Sequence, residues 1–222
     1  MKNYNIAIIP ARHGSRGVRG KNFKKINNKP LISWTIEFLE NLKFINLIIV
    51  SSDCVKIKNI VKTNEKIIFL KRPKNISSDH SLTEDCVIHV LKHFKKLHID
   101  NVFLFEPTSP LRKLITIKNC YRTYLEKKLN SLFTVSASNK SFGKILNHKF
   151  VKFNKNEKSR RQDRKLIYYE TGVVYIFNAL SFLKKKKIVT QTSYPFVVNE
   201  IEGFDINTLD DFKIVESIMK GK

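Results

Sequence analysis

The sequence predicts an α/β domain on a mainly parallel sheet, and three observations carry that expectation. Short apolar runs recur at Asn5–Pro10, Asn46–Ser52, Lys66–Leu70 and Asn101–Phe105, the length and continuity of strands buried on both faces. Longer stretches with helical spacing of apolar residues separate them, so the order reads strand, helix, strand, helix. The first strand breaks directly into a glycine-rich basic loop, Ala11 to Asn22, which places a ligand site at the carboxyl end of that strand.

After that loop, Pro30 to Leu42 reads as a helix with Pro30 in its first turn. The strand Asn46–Ser52 ends in Asp53, read as the cap of a following helix. Ser81 and Glu84 have capping-box spacing ahead of the next helix. On that helix His89 and His93 lie one turn apart, and with no third ligand nearby they read as a solvent-facing pair. A helix over Ile115–Lys127 and a strand over Ser131–Ser136 continue the alternation. The pattern then changes to a hairpin, Lys144–Phe153, turning at Asn147-His148, and a basic loop, Lys155–Lys165. Glu170 to Phe177 reads as a strand, and Lys184–Lys187 as cations behind a short helix. Alternation puts Asp205 and Asn207 on one face of an extended segment, with Thr208 and Asp211 opening a last helix, Leu209–Met219.

In the basic loop, Gly14, Gly17 and Gly20 let phosphates approach the main chain, and Arg12, Arg16, Arg19 and Lys21 add positive charge. Two common phosphate motifs fail on spacing. Five residues separate Gly14 from Gly20 and Asn22 follows the lysine, which excludes GxxxxGK[ST]. The glycines run GxxGxxG, which excludes GxGxxG.

Composition sets the outer bounds. A chain of 222 residues with 42% hydrophobic residues and 16 Phe supports one packed domain, 1–222. No apolar run is long enough to span a membrane, and the N-terminus has no signal-peptide pattern. Cys54, Cys86 and Cys120 are odd in number and widely spaced, as expected of reduced cytoplasmic thiols rather than a zinc site. The net charge of +23 suits nonspecific, salt-sensitive contact with polyanions. The lysines are scattered, so no specific nucleic-acid partner is expected.

The run Pro10-Ala11-Arg12-His13-Gly14-Ser15 through Lys21-Asn22 resembles the signature PARxGSxGxxxKN of the sugar-acid cytidylyltransferases, the N-acylneuraminate cytidylyltransferase family. Glu106-Pro107-Thr108-Ser109-Pro110-Leu111-Arg112 resembles that family's QPTSPLR, with glutamate in place of glutamine. Asp205-Ile206-Asn207-Thr208 resembles its DIDT, with asparagine in place of the second aspartate. The resemblance runs in family order from Ile8 to about Phe212. It implies a Rossmann-like nucleotidyltransferase fold with a small dimerisation extension at about 138–168, and a homodimer. It also implies CMP transfer from CTP to the anomeric hydroxyl of a nine-carbon 2-keto sugar acid, with release of pyrophosphate. N-acetylneuraminate is the first expectation, with legionaminate or pseudaminate behind it.

On the matching positions the resemblance implies nucleotide contacts from Ala11, Arg12, Gly14, Ser15, Lys21, Asn22, Arg72 and Ser78. Sugar contacts would come from Glu106, Lys144, Arg161, Gln162, Thr171 and Tyr175. Mg2+ would be held by Asp205 and Asn207, and Lys21, Arg12 and Asp205 would serve the chemistry. Two alternatives stay open. One is a nucleotidyltransferase of the same fold with another sugar or base; the other is a degenerate, non-catalytic nucleotide binder, to which Glu106 and Asn207 point.

Overall fold

The structure, a computed structural model, describes residues 3–14 and 17–221. A seven-stranded sheet forms its centre. The strands are β1 (Asn3–Pro10), β4 (Leu47–Ser52), β5 (Ile67–Lys71), β6 (His98–Leu104), β7 (Ser131–Ser138), β10 (Ile167–Asn178) and β11 (Tyr194–Val198). Their spatial order is β11-β7-β10-β6-β1-β4-β5. β1 pairs in parallel with both β4 and β6, β4 with β5, and β11 with β7. Only β10 runs antiparallel, against β6 and β7. The mainly parallel sheet is therefore as expected. β11, an edge strand, had not been anticipated: its alternating exposure interrupts the continuous apolar run that marks the inner strands.

Helices cover both faces, as parallel strands require. One core lies under α1 (Leu31–Glu40), α2 (Val55–Ile60) and α4 (Leu114–Glu126). The other lies under α3 (Thr83–His93) and α5 (Ala179–Lys185). α1 buries Leu31, Ile32, Thr35, Ile36 and Leu39, a stripe with the period of a helix. Pro30 sits one residue earlier than expected, as the N-cap of α1 with φ −54°, and it also closes a two-residue ladder, β2 (Lys25–Ile26) with β3 (Lys29–Pro30). Asn27 and Asn28 make that turn with φ of 48° and 62°, the left-handed pair that suits a two-residue hairpin.

A third, small core beneath α6 (Leu209–Lys220) joins Val18, Leu111, Ile206 and Phe212. It fastens together three loops that start in distant parts of the sequence. Thr208 and Asp211 cap α6 reciprocally, as expected: Asp211 Oδ2 accepts from the Thr208 N–H at 2.7 Å and Thr208 Oγ1 accepts from the Asp211 N–H at 3.2 Å.

Between β7 and β10 the chain leaves the sheet. β8 (Gly143–Leu146) and β9 (Lys149–Lys152) form the expected hairpin, with Asn147 and His148 at φ of 46° and 61° in its turn. Its sheet contains only these two strands. Among the described residues no helix is long and apolar enough to cross a membrane.

Candidate active site

Chain direction diverges at β1, which has β4 on one side and β6 on the other. Loops leaving the carboxyl ends of such neighbouring strands border a crevice. The loops after β1 and β6 are the two strongest motifs of the sequence.

The loop after β1 is tied down at each turn. Ala11, fully buried, donates its N–H to the Ser51 carbonyl at 2.9 Å and extends the sheet by one residue. The His13 N–H donates to Asp53 Oδ1 at 2.8 Å. Asp53 thus anchors this loop, and not α2 as expected; α2 has Cys54 as its N-cap and no side-chain cap. Asn22 is buried and donates from Nδ2 to the Arg12 carbonyl at 3.3 Å. Lys21 Nζ donates to the Ile206 carbonyl at 3.0 Å, which joins the loop to the 205–208 segment. At Gly17 a Cβ would fall 2.1 Å from the Asn207 carbonyl oxygen, so this approach of two main chains needs glycine. Ser15 and Arg16 lie outside the described residues.

A cavity of about 380 Å³ opens above this loop, with Arg12, Gly14, Lys21, Asn22 and Arg72 in its wall. Arg72 is buried and held by Ser51, through Nε to Oγ at 3.2 Å and Nη2 to the carbonyl at 2.9 Å. Arg12 pairs with Asp79 at 3.3 Å and donates to the Ser78 carbonyl. The site expectation for Ser78 shifts here: Ser81 and Thr83 reach the wall, while the Ser78 hydroxyl engages Ser81 Oγ at 2.9 Å. The helix start moves with it. Asp85 Oδ2 accepts from the Leu82 N–H at 3.2 Å, so in place of the box expected of Ser81 and Glu84 there is a single reach-back bond one residue later, and the leucine N-cap has no side-chain acceptor to complete it. His93 is exposed and His89 half-buried with an unpartnered Nδ1, so only one of the expected solvent-facing pair faces solvent. Burial, then His93, lowers the His89 pKa.

A second cavity, about 530 Å³, adjoins the first and shares Glu106 and Asn207 with it. Its wall includes Thr171 and Tyr175, both expected there, and Asp205. The Thr171 hydroxyl is spent on Thr134 Oγ1 at 2.9 Å, within the irregular pairing of β10 with β7 between Thr171 and Tyr175. That hydroxyl therefore holds the strand in shape and is not free to donate to a ligand. Tyr175 donates to Glu170 Oε1 at 2.7 Å, and burial, then Glu106, pushes its pKa up. Lys140 and Glu200, an ion pair at 3.3 Å, also reach this wall and escaped sequence reasoning; neither belongs to a periodic or motif pattern. Glu170 was legible only as the neighbour of Thr171.

Lys144, Arg161 and Gln162 line neither cavity. They sit on the excursion between β7 and β10, whose hairpin pairs only with itself among the described residues. Arg161 Nε instead donates to Asn139 Oδ1 at 2.7 Å.

Glu106 occupies the wall between the cavities. Its carboxyl pKa rises from 4.5 to about 6, because burial and then the Asp205 charge outweigh Lys21 and Arg112. Between pH 4.5 and 6 the folded chain keeps a proton that the unfolded chain has released, so stability falls as pH rises through that window. The loss amounts to about 2 kcal/mol. Glu106→Gln is therefore expected to be more stable than the natural chain by about 2 kcal/mol at pH 7 and no more stable below pH 4. Urea melts at both pH values check this; an equal gain at both would contradict it.

The donors at this junction suit a hard cation. Asp205 Oδ1 is shut off from water without a hydrogen-bond partner, Asn207 is exposed beside it, and all the available donors are oxygens. Among the described residues no three His, Cys, Asp or Glu side chains form a metal-binding group. A site here would thus be completed by ligand oxygens, the habit of Mg2+ with phosphates.

The seven-stranded sheet with its site at the switch point is a nucleotidyltransferase fold. It superposes on a solved CMP:2-keto-3-deoxy-manno-octonic acid synthetase complexed with CTP with a TM-score of 0.71, at 15% identity, covering 98% of this chain and 99% of that one. Residues 6–219 match the family described as Cytidylyltransferase, and the chain belongs to that family. A pseudaminic acid cytidylyltransferase of Campylobacter jejuni is 28% identical, over 97% of this chain and 96% of that protein. An N-acylneuraminate cytidylyltransferase of Escherichia coli is 26% identical over 100% of this chain, which spans 54% of that protein's length.

Proposed function

We infer that this chain transfers CMP from CTP to the anomeric hydroxyl of a nine-carbon 2-keto sugar acid in the cytoplasm. N-acetylneuraminate, legionaminate and pseudaminate are the acids in view. The observation that carries the reading is the pair of adjoining cavities, one walled by Arg12, Lys21 and Arg72, which meet at Glu106 and Asn207. The first takes the nucleotide and its phosphates, and the second takes the sugar acid. The anomeric oxygen forms a bond to the α-phosphorus as the bond to pyrophosphate breaks, with the hydroxyl proton passing to solvent.

Such a reaction needs positioning and charge neutralisation more than covalent catalysis. Lys21 and Arg12 neutralise the phosphates, with main-chain N–H groups of the glycine loop beside them. Arg72 and Asn22 are held rigidly enough to orient the nucleotide. Asp205 with Asn207 would hold Mg2+, which offsets charge on the phosphates and the leaving group when bound.

The segment 138–168 is read as a dimerisation extension of a single domain, 1–222. Ile145, Phe150 and Phe153 are exposed on it at 68%, 54% and 70%, more apolar surface than a free hairpin would carry. In a homodimer Lys144, Arg161 and Gln162 would face the second copy's cavity and meet the sugar carboxylate there.

The test is pyrophosphate release from CTP and Mg2+ with a panel of 2-keto sugar acids. Release with one acid, and with CTP in preference to UTP, GTP and ATP, is the expected result. A folded protein that binds CTP and releases nothing with any acid would be a non-catalytic binder.

A further inference from the structure

We propose that Glu106 is a metal-ligating residue of this site, supplying from the loop after β6 the second carboxylate that position 207 lacks. The proposal rests on the function inferred above and extends it to a residue that the family signature gives as glutamine.

Three observations lead to it. Glu106, Asp205 and Asn207 converge from two separate loops on the boundary of the second cavity, and Glu106 and Asn207 border the first as well. Neither has a direct partner: Asp205 Oδ1 is enclosed without a hydrogen bond, and among the described residues no hydrogen bond or ion pair reaches the Glu106 carboxylate. Two like charges held together without a partner are costly, and a cation between them removes the cost.

The sequence supplies the third observation. Against the signatures QPTSPLR and DIDT, this chain carries glutamate at 106 and asparagine at 207. One carboxylate is gained where one is lost, and both positions open onto the same junction. The site thereby keeps two carboxylates, the usual protein share for Mg2+ that also binds phosphate oxygens and waters.

Neighbouring groups are consistent with this placement. Arg112, the nearest buried cation, points its hydrogen bonds elsewhere: Nη1 to Thr35 Oγ1 at 3.0 Å and Nη2 to the Glu106 carbonyl. The Lys21 ammonium is engaged by the Ile206 carbonyl. Asp211 is occupied by the N–H groups of Asn207 and Thr208. Glu170 accepts from Tyr175 and Glu200 pairs with Lys140, so among the described residues lining the second cavity Glu106 and Asp205 are the carboxylates left to share an ion.

Mn2+ binding, read by the loss of the free-ion electron paramagnetic resonance signal with CTP present and absent, tests the proposal without reference to turnover. Glu106→Gln keeps the side-chain shape and is expected to weaken Mn2+ binding roughly tenfold. Adding Asn207→Asp to that variant should restore the affinity to within about threefold of the natural chain, because the pair of carboxylates is rebuilt. Glu106→Gln with unchanged Mn2+ affinity overturns the proposal while leaving the inferred function in place, and a raised KM for the sugar acid alone would then make Glu106 a sugar contact. A natural chain that holds CTP but no Mn2+ overturns the proposal too. One that holds neither overturns the functional reading along with it.

Discussion

Arg112→Leu is expected to destabilise the fold by about 3 kcal/mol at pH 7.5, and by distinctly less at pH 5. The guanidinium is buried, with 6% of its surface exposed. It lies 5.8 Å and 5.4 Å from the ring centroids of Phe38 and Phe105. Its hydrogen bonds to Thr35 and to the Glu106 main chain join α1 to the loop after β6. Burial lowers the Arg112 pKa to about 9, against the pull of Glu106 and Asp205, so the group stays charged at neutral pH. Leucine restores the apolar volume but leaves two polar groups unmatched, each worth about 1 kcal/mol or more.

The rest of the loss comes from charge. At pH 7.5 the substitution removes the cation that offsets Glu106 and Asp205; at pH 5 Glu106 holds its proton and needs that offset less. Denaturant melts at the two pH values report the difference. A loss that is the same at both would mean that Arg112 acts through packing alone.

Much of this architecture was legible in the sequence because of its physics. Strands buried on both faces, such as Ile6–Ile9 and Leu47–Val50, read as unbroken apolar runs, and the Asn147-His148 pair marked the turn of the hairpin. The capping pair Thr208–Asp211 was legible because its spacing is local. What escaped was what depends on contacts distant in sequence. Asp53 has the chemistry of a helix cap, yet a free N–H on His13, 40 residues away, claims it. Thr171 has a hydroxyl suited to a sugar, yet the irregular pairing of two strands consumes it. Lys144, Arg161 and Gln162 match family positions, but such a match does not say that they line a cavity of their own chain, and they line neither. The meeting of Glu106 with Asp205 belongs to the same class: each lies in a recognisable motif, and contacts distant in sequence bring the motifs together, the third core, Val18 with Leu111 and Ile206, and the Ile206 N–H donating to the Thr108 carbonyl at 2.9 Å.

Lys21→Ala is expected to lower the maximal rate of pyrophosphate release by ten- to a hundredfold, the equivalent of roughly 1.5–3 kcal/mol for one charge-assisted hydrogen bond. Lys21 sits where the glycine loop crosses the 205–208 segment, in the wall of the first cavity. Charge accumulates on pyrophosphate as it departs, so a cation beside it stabilises the transition state more than the bound substrate. The drop should therefore fall on kcat, with a smaller change in KM for CTP. The Ile206 carbonyl loses its donor in the same variant, a structural cost of about 1 kcal/mol, and a melt separates that cost from the chemistry. Lys21→Arg, which keeps the charge but spreads it over a planar fork, should recover part of kcat and little of the geometry. A Lys21→Ala protein that turns over normally would remove Lys21 from the phosphate site. A rise in KM at unchanged kcat would make it a uniform binder of CTP, leaving Arg12 as the cation that senses the departing charge.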